Sequence, residues 1–261
     1  VSGTGTTSIK DLTVNTGAGL TVNKNLVLHG NLVQNGSSFS SSANEIEFAG
    51  SNAASISGTG TAPSINQLLV NKAGSTLTLN KNVGSLQSII VAGGKLILNN
   101  GTLSKATTNN TSFTIAANTT LEISGADTLP AFDNYTFNAS STVNYNGGAQ
   151  TVGATKYGNL VLSNAGTKTF AANTTSVAGD LTLNSGATAN FLDNSSTVDF
   201  NGTGNQAIPG ATYHRLLVTE GGKKTLGGNA TVMSQLNVAK GEITTGANKF
   251  VLGESATISE V

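Results

Sequence analysis

The sequence contains no cysteine and no tryptophan, and only three of its 261 residues are proline. Without cysteine, no disulfide stabilises the chain, so its stability must come from backbone hydrogen bonds and from core packing. Charged residues make up 10% of the chain, well below the roughly 25% of an ordinary globular protein. The surface must therefore be built mainly from neutral side chains, which threonine, serine, asparagine and glycine supply.

Clustered charge is also missing from the sequence. Thirteen basic and thirteen acidic residues cancel, and Arg215 is the one arginine. Nucleic acids and anionic membranes are bound by clustered cations, and no such cluster occurs here. No apolar run approaches the roughly 18 residues that a membrane-spanning helix requires. We therefore expect no nucleic-acid partner and no direct insertion into a membrane.

The sequence instead contains a short segment that occurs four times. Within the first pair of copies, and again within the second pair, the segments lie about 56 residues apart. Internal repetition of short strand-forming units is typical of a solenoid, in which each unit buries its apolar face against its neighbours. The four copies cover residues 9–14, 65–70, 157–162 and 213–218.

The copies also indicate which positions are buried. A leucine is present in every copy, whereas the residue before it is polar and differs each time, which is the alternation of a strand with one buried face. From Leu160 to Leu181, Phe200 and Leu216 the steps are about 21, 19 and 16 residues. Turns of this length predict an all-β, right-handed parallel β-helix of about 13 to 14 turns without substantial helix. A β-propeller is the alternative.

We expect one elongated solenoid domain covering residues 1–261, made of four repeat units at approximately 1–44, 45–140, 141–195 and 196–261. The second unit is longer than the others by nearly two turns and contains an insertion at residues 124–135. A proline, two acids and two aromatic residues in this insertion predict a protruding loop.

This insertion is our predicted binding feature, because a strong site needs an aromatic anchor or a concavity. Its candidate contact residues are Asp127, Phe132, Asp133 and Tyr135. The alternative is structural: Phe132 and Tyr135 fill the interior of the additional turns.

The sequence carries no recognisable catalytic or metal-binding pattern. His29 and His214 lack acidic neighbours at zinc-ligand spacing, and no serine lies in a Gly-x-Ser-x-Gly elbow. Asp180 and Asp199 lie about one turn apart, but the first falls near a turn and the second in a strand, which is a poor arrangement for paired catalytic carboxylates. We therefore expect no enzymatic activity, no cofactor and no metal site.

Two runs, at residues 157–188 and 196–210, resemble repeats of large secreted surface proteins of Bacteroidota-type bacteria. The predicted architecture is also similar to haemagglutinin-type and autotransporter passenger β-helices. The resemblance covers most of the chain, and its motifs are structural. It implies an exported, fibre-like protein of the bacterial cell surface or the extracellular space, often an adhesin.

We therefore expect a non-catalytic, structural or adhesive segment whose partners are glycans, surface proteins or neighbouring copies of the chain. Two alternatives stay open. One is a β-helix that binds or processes carbohydrate. The other is a subunit that assembles head to tail into an extracellular filament.

Overall fold

The computed structural model describes residues 5–184 and 186–260. Ser185, which belongs to the first of the two runs that carry the resemblance, lies outside the described residues. The chain is all-β and forms a parallel β-solenoid of about 13 turns, with no helix in the described ranges. The predicted fold class is thereby confirmed. Contacts divide the chain into two compact units, Val1–Asn138 and Ala139–Val261, and the predicted four repeat units stay a prediction.

The strands of the first unit are β1 (Thr7–Ile9), β2 (Leu12–Val14), β3 (Gly19–Thr21), β4 (Leu26–Leu28), β5 (Leu32–Gln34), β6 (Ser38–Ser40), β7 (Glu45–Ala49), β8 (Ala54–Ser57), β9 (Gln67–Leu79), β10 (Val83–Leu86), β11 (Ser88–Leu98), β12 (Leu103–Lys105), β13 (Ser112–Ile115), β14 (Thr120–Ile123) and β15 (Asn134–Phe137). One ladder of this unit runs β1, β4, β7, β9, β11 and β14 in order. Strands β9 and β11 also carry a second ladder, which continues through β13 to β15.

The strands of the second unit are β16 (Thr142–Tyr145), β17 (Gln150–Val152), β18 (Lys156–Tyr157), β19 (Asn159–Leu162), β20 (Gly166–Phe170), β21 (Thr174–Val177), β22 (Leu181–Leu183), β23 (Ala187–Asn190), β24 (Thr197–Phe200), β25 (Gln206–Ile208), β26 (Thr212–Val218), β27 (Lys223–Leu226), β28 (Ala230–Val238), β29 (Glu242–Thr244), β30 (Phe250–Leu252) and β31 (Thr257–Glu260). Its ladders run β16–β19–β22, β17–β20–β23, β18–β21–β24–β26–β28–β30 and β25–β27–β29, and β31 also pairs with β28.

The repeated segment adopts the predicted alternation. Leu68, Leu160 and Leu216 are buried, whereas Arg215, directly before the last of them, is exposed. Leu12, in the first copy, is only half-buried. Each fully buried Leu stabilises the fold by about 1.5–3 kcal/mol, so the inward-facing positions of stacked turns supply much of the stability.

The length of a turn varies while the register of the strands is kept. Thr142 pairs with Asn159, 17 residues later, whereas Lys95 pairs with Thr120, 25 residues later. Every strand pair described is parallel, which contradicts a propeller, whose blades pair neighbouring strands through hairpins. Extra residues enter between strands, so a solenoid absorbs them without disturbing the ladder.

Candidate functional site

The predicted loop begins after β14 and ends at Asp133. It is shorter than the sequence suggested, because Asn134 and Tyr135 belong to β15 and pair in register with Ser112 and Phe113 of β13. Placing Tyr135 in the loop was therefore wrong. Tyr135 and Phe137 have apolar rings and lie two residues apart, which is the period of a strand. The ladder therefore continues up to the end of the loop.

Asp133 joins the loop to the preceding turn. One carboxylate oxygen forms an ion pair with Lys105, and the other accepts hydrogen bonds from the Thr111 backbone N–H at 3.0 Å and from the Thr111 hydroxyl at 2.9 Å. The Lys105 ammonium and the Thr111 donors lower the pKa of Asp133 to about 2. The carboxylate is thus ionised at neutral pH and engaged in holding two turns together.

Tyr135 closes the loop from the other side. Its hydroxyl donates to the Pro130 carbonyl at 2.7 Å and accepts the Phe132 N–H at 2.9 Å. Burial raises the pKa of this phenol, so the hydroxyl stays protonated and can act as donor and acceptor together. One side chain therefore fixes two backbone positions of the loop.

The ring of Phe132 lies in the core, with 7% of the residue exposed. It packs edge-on against Phe113 at a centroid distance of 5.6 Å. Phe113 also meets Phe137 at 5.7 Å, and Phe137 meets Tyr135 at 5.5 Å. Edge-to-face contacts at these distances add about 0.5–1.5 kcal/mol per pair beyond the area that they bury. Phe113 and Phe132 lie in the interior of the additional turns, whereas Tyr135 and Phe137 are only half-buried.

Asp127 lies apart from that cluster, at the start of the loop. Its carboxylate accepts the Asn100 backbone N–H at 3.2 Å, and burial raises its pKa above the usual value. It borders a cleft of about 300 Å³ together with Thr102, Leu103, Thr128 and Pro130. Of the four candidate residues, Asp127 is the one that lines this cleft, so the structure joins Phe132, Asp133 and Tyr135 but separates them from Asp127. Ligand binding by these residues stays a prediction.

Three fully buried lysines, Lys72, Lys168 and Lys224, were missed by reasoning from sequence. The Lys72 ammonium donates to the carbonyls of Ala49 at 2.7 Å and His29 at 3.1 Å. These acceptors belong to two successive preceding turns, so one ammonium spans three turns. A buried charge is tolerated only with such partners, and Lys72 therefore acts as a cross-link of the stack.

Lys168 and Lys224 occupy equivalent positions in the second unit. Lys168 donates to the carbonyls of Gly147 and Gly148 at 2.8 and 2.7 Å. Lys224 donates to the carbonyls of Gly202 and Gly204 at 2.7 and 3.0 Å. Burial lowers the pKa of both lysines below the usual value. Each ammonium thus closes a glycine-rich turn from within the solenoid.

The remaining residues singled out by sequence are dispersed in the structure. Asp180 is exposed outside the strands, whereas Asp199 lies in β24 and accepts hydrogen bonds from Thr219 at 2.8 Å and Ser176 at 3.2 Å. The His29 ring contacts the Ser8 hydroxyl at 2.9 Å, and the Nδ1 atom of His214 is buried without a hydrogen-bond partner. In residues 5–184 and 186–260, no three metal-ligating side chains come together.

Comparison with family models, with curated proteins and with solved structures finds no match to this chain. In the part of the chain that the structure describes, no helix has the length and apolar character needed to span a membrane.

Proposed function

We propose that this chain is a non-catalytic, structural and adhesive segment of an exported bacterial surface protein. The observation that carries the proposal is the use of its charged side chains. Asp133 ties the loop to the preceding turn, and Lys72, Lys168 and Lys224 close or cross-link turns from inside. Charged side chains that hold neighbouring turns together suit a segment whose task is to keep its shape.

The surface supports the same proposal. Its threonine, serine and asparagine side chains are neutral and hydrogen-bonding, and the net charge is zero. Stability that rests on ladders and buried lysines needs no disulfide, and a neutral hydroxylated surface is common in secreted solenoids. The resemblance of residues 196–210 to secreted surface repeats points the same way.

The proposed partners are glycans, surface proteins or neighbouring copies of the chain, contacted around Asp127 and the loop that follows it. Beads coated with the purified chain should be retained on cells or on glycan-coated glass under flow, and beads coated with albumin should be washed away. Changing Asp127 to Ala should lower retention, whereas changing the exposed turn residue Asp193 to Ala should leave it unchanged. Equal retention of beads coated with the unchanged chain and beads coated with albumin would argue against adhesion, and equal retention of the two variants would argue against a contact at Asp127.

A β-helix that binds or processes carbohydrate is the second candidate, favoured by one observation. Asp127 borders a cleft of about 300 Å³, and burial raises the pKa of its carboxyl, as in a group that donates a proton. A panel of neutral and acidic polysaccharides should be assayed for new reducing ends. Release that is lost in Asp127→Asn and kept in Asp193→Asn would favour this candidate over the first.

A further inference from the structure

One ladder of the second unit stops in the middle of that unit. Strands β17, β20 and β23 pair in order, and among the described strands β23 has only β20 as a ladder neighbour. The next strand of the same kind, β25, begins a separate ladder with β27 and β29. In a parallel ladder, alternate backbone N–H and C=O groups point to each side of a strand. No described strand pairs with the far edge of Ala187–Asn190, so its outward backbone groups lack a ladder partner, and pairing with the following turn resumes at Phe191, which bridges Tyr213 of β26.

The interior of the solenoid opens beside this edge. Ala189 is in register with Lys168, and Leu183 is in register with Leu162. Lys168 and Leu162 are fully buried, but Ala189 and Leu183, which face the same way, are only half-buried. The next turn does not cover them, so inward-facing side chains form an apolar floor that solvent reaches.

A cleft of about 500 Å³ lies over this floor, within the range of roughly 300–1,000 Å³ that ligand sites occupy. Its rim carries neutral hydroxyl and amide groups from Thr167, Thr188, Asn190 and Thr212, and none of the residues that line it is charged. A charged ligand would lose its hydration there without gaining a partner of opposite charge. The cleft therefore favours an uncharged ligand.

One end of the cleft holds an exposed apolar side chain in a fixed position. Leu192 is 42% exposed and lines the cleft. The Asn190 carboxamide oxygen accepts the backbone N–H groups of Leu192 at 3.0 Å and Asp193 at 3.3 Å. This turn presents Leu192 two residues beyond the end of β23, after Phe191, which is paired with Tyr213. The unpaired edge of β23 and the apolar side chain of Leu192 thus border the same cleft.

We propose that this cleft binds an extended, uncharged peptide segment, which adds a strand to β23 and seats its apolar side chains on the floor and against Leu192. A free strand edge is satisfied best by another extended backbone, because the donors and acceptors of a peptide match its spacing. The alternation of side chains in that backbone directs every second residue to the floor. This site lies away from the Asp127 loop and goes beyond the proposed function.

The test uses the folded chain and a defined probe, the fluorescein-labelled hexapeptide acetyl-Thr-Val-Thr-Val-Thr-Val-amide. Fluorescence polarisation should show saturable binding. Two matched peptides keep the same side chains. Each is N-methylated at the amides of alternate residues, so that one peptide loses the main-chain donors of one edge and the other peptide loses those of the opposite edge. The two methylated peptides should differ in affinity, since a strand pairs along a single edge. The weaker of the two should bind at least tenfold more weakly than the parent peptide.

Two variants locate the binding. Leu192→Ser should weaken the probe about tenfold, and Met233→Ser, a change at a residue of similar exposure (44%) that does not line the cleft, should not. Ala189→Leu fills the floor and should abolish binding. Circular dichroism and urea unfolding of each variant establish that the solenoid is intact. If Ala189→Leu fails this check, Ala187→Val, which narrows the same floor, is used in its place.

Three results would overturn the proposal. The first is no saturable binding up to about 1 mM probe, where the binding free energy is only about −4 kcal/mol. The second is binding that neither N-methylated peptide reduces, which would mean that no strand is added. The third is binding that the variants place outside the cleft. Leu192→Ser and Met233→Ser would then bind the probe equally, or Ala189→Leu would leave binding unchanged while neutral cello-oligosaccharides displace the probe.

Discussion

Gln150 and Lys168 stand in parallel register on neighbouring turns of the solenoid, and both hold the same glycine turn. The Gln150 carboxamide oxygen accepts a hydrogen bond from the Gly147 N–H at 2.8 Å, while the Lys168 ammonium donates one to the Gly147 carbonyl. Gln206 and Lys224 repeat the pair around Gly202. The donor and the acceptor of one glycine are thus satisfied by two successive turns, so a polar pair replaces an apolar one inside the stack.

This arrangement predicts a specific cost for removing one buried amine. Lys168→Met keeps much of the side-chain volume but leaves the carbonyls of Gly147 and Gly148 without their donor. A buried polar group left unpaired costs about 1–3 kcal/mol, and we expect a loss in this range in urea unfolding. Lys156→Met, which changes an exposed lysine of β18, is the control. Equal unfolding midpoints for the two variants would contradict the role assigned to Lys168.

Gly94 and Gly74 provide a second matched pair. Both have positive φ, +74° and +69°, a conformation that costs a residue with a Cβ roughly 1–2 kcal/mol. A Cβ at Gly94 would also collide with the backbone carbonyl oxygens of Lys72 and Ser75, whereas one at Gly74 would meet nothing within 4 Å.

We therefore expect Gly94→Ala to lower the free energy of unfolding by about 2–5 kcal/mol, because overpacking adds to the backbone strain. Gly74→Ala should lower it by only about 1–2 kcal/mol. Thermal unfolding followed by circular dichroism measures both. Similar losses in the two variants would mean that the close approach at Lys72 does not hold in solution.

Tyr135 offers a local prediction for the loop. Tyr135→Phe removes the hydroxyl that holds the Pro130 carbonyl and the Phe132 N–H, and the net worth of such bonds is about 0.5–1.5 kcal/mol each. The loop should open more often, so elastase should cut near Ala131 faster than in the unchanged chain. Tyr213→Phe removes a similar bond to Pro209 and should not change that cut. Unchanged cleavage in Tyr135→Phe would show that the hydroxyl does not hold the loop.

The ion pair of Asp133 with Lys105 predicts a dependence of stability on pH. The pKa of Asp133 falls from 3.8 to about 2 on folding. The folded state therefore binds fewer protons than the unfolded state between these values, and the stabilisation is complete above pH 4 and is lost as the pH falls towards 2.

Asp133→Asn should lower the melting temperature at pH 6. At pH 2.5 the difference in melting temperature between this variant and the unchanged chain should be smaller. Asp193→Asn, at an exposed turn, should change neither value. A deficit of Asp133→Asn that is as large at pH 2.5 as at pH 6 would contradict an ionised Asp133 in the folded state.

The fold was predictable because the repeated leucine and its arbitrary polar neighbour report on the two faces of one strand. The buried lysines were not, since an ammonium at an inward position contradicts the apolar pattern. Their signal is the spacing, because Lys168 follows Gln150, and Lys224 follows Gln206, by 18 residues, one turn in register. The loop was predicted too long at Tyr135, because its composition does not reveal that a ladder with β13 resumes at Asn134.

We propose that the chain works outside the cell as a structural and adhesive segment. Antibodies raised against the folded segment, applied to intact cells that make it, test this most directly, with permeabilised cells and a cytoplasmic marker as controls. We predict strong labelling of intact cells that brief treatment with an external protease removes. Labelling confined to permeabilised cells would contradict the account.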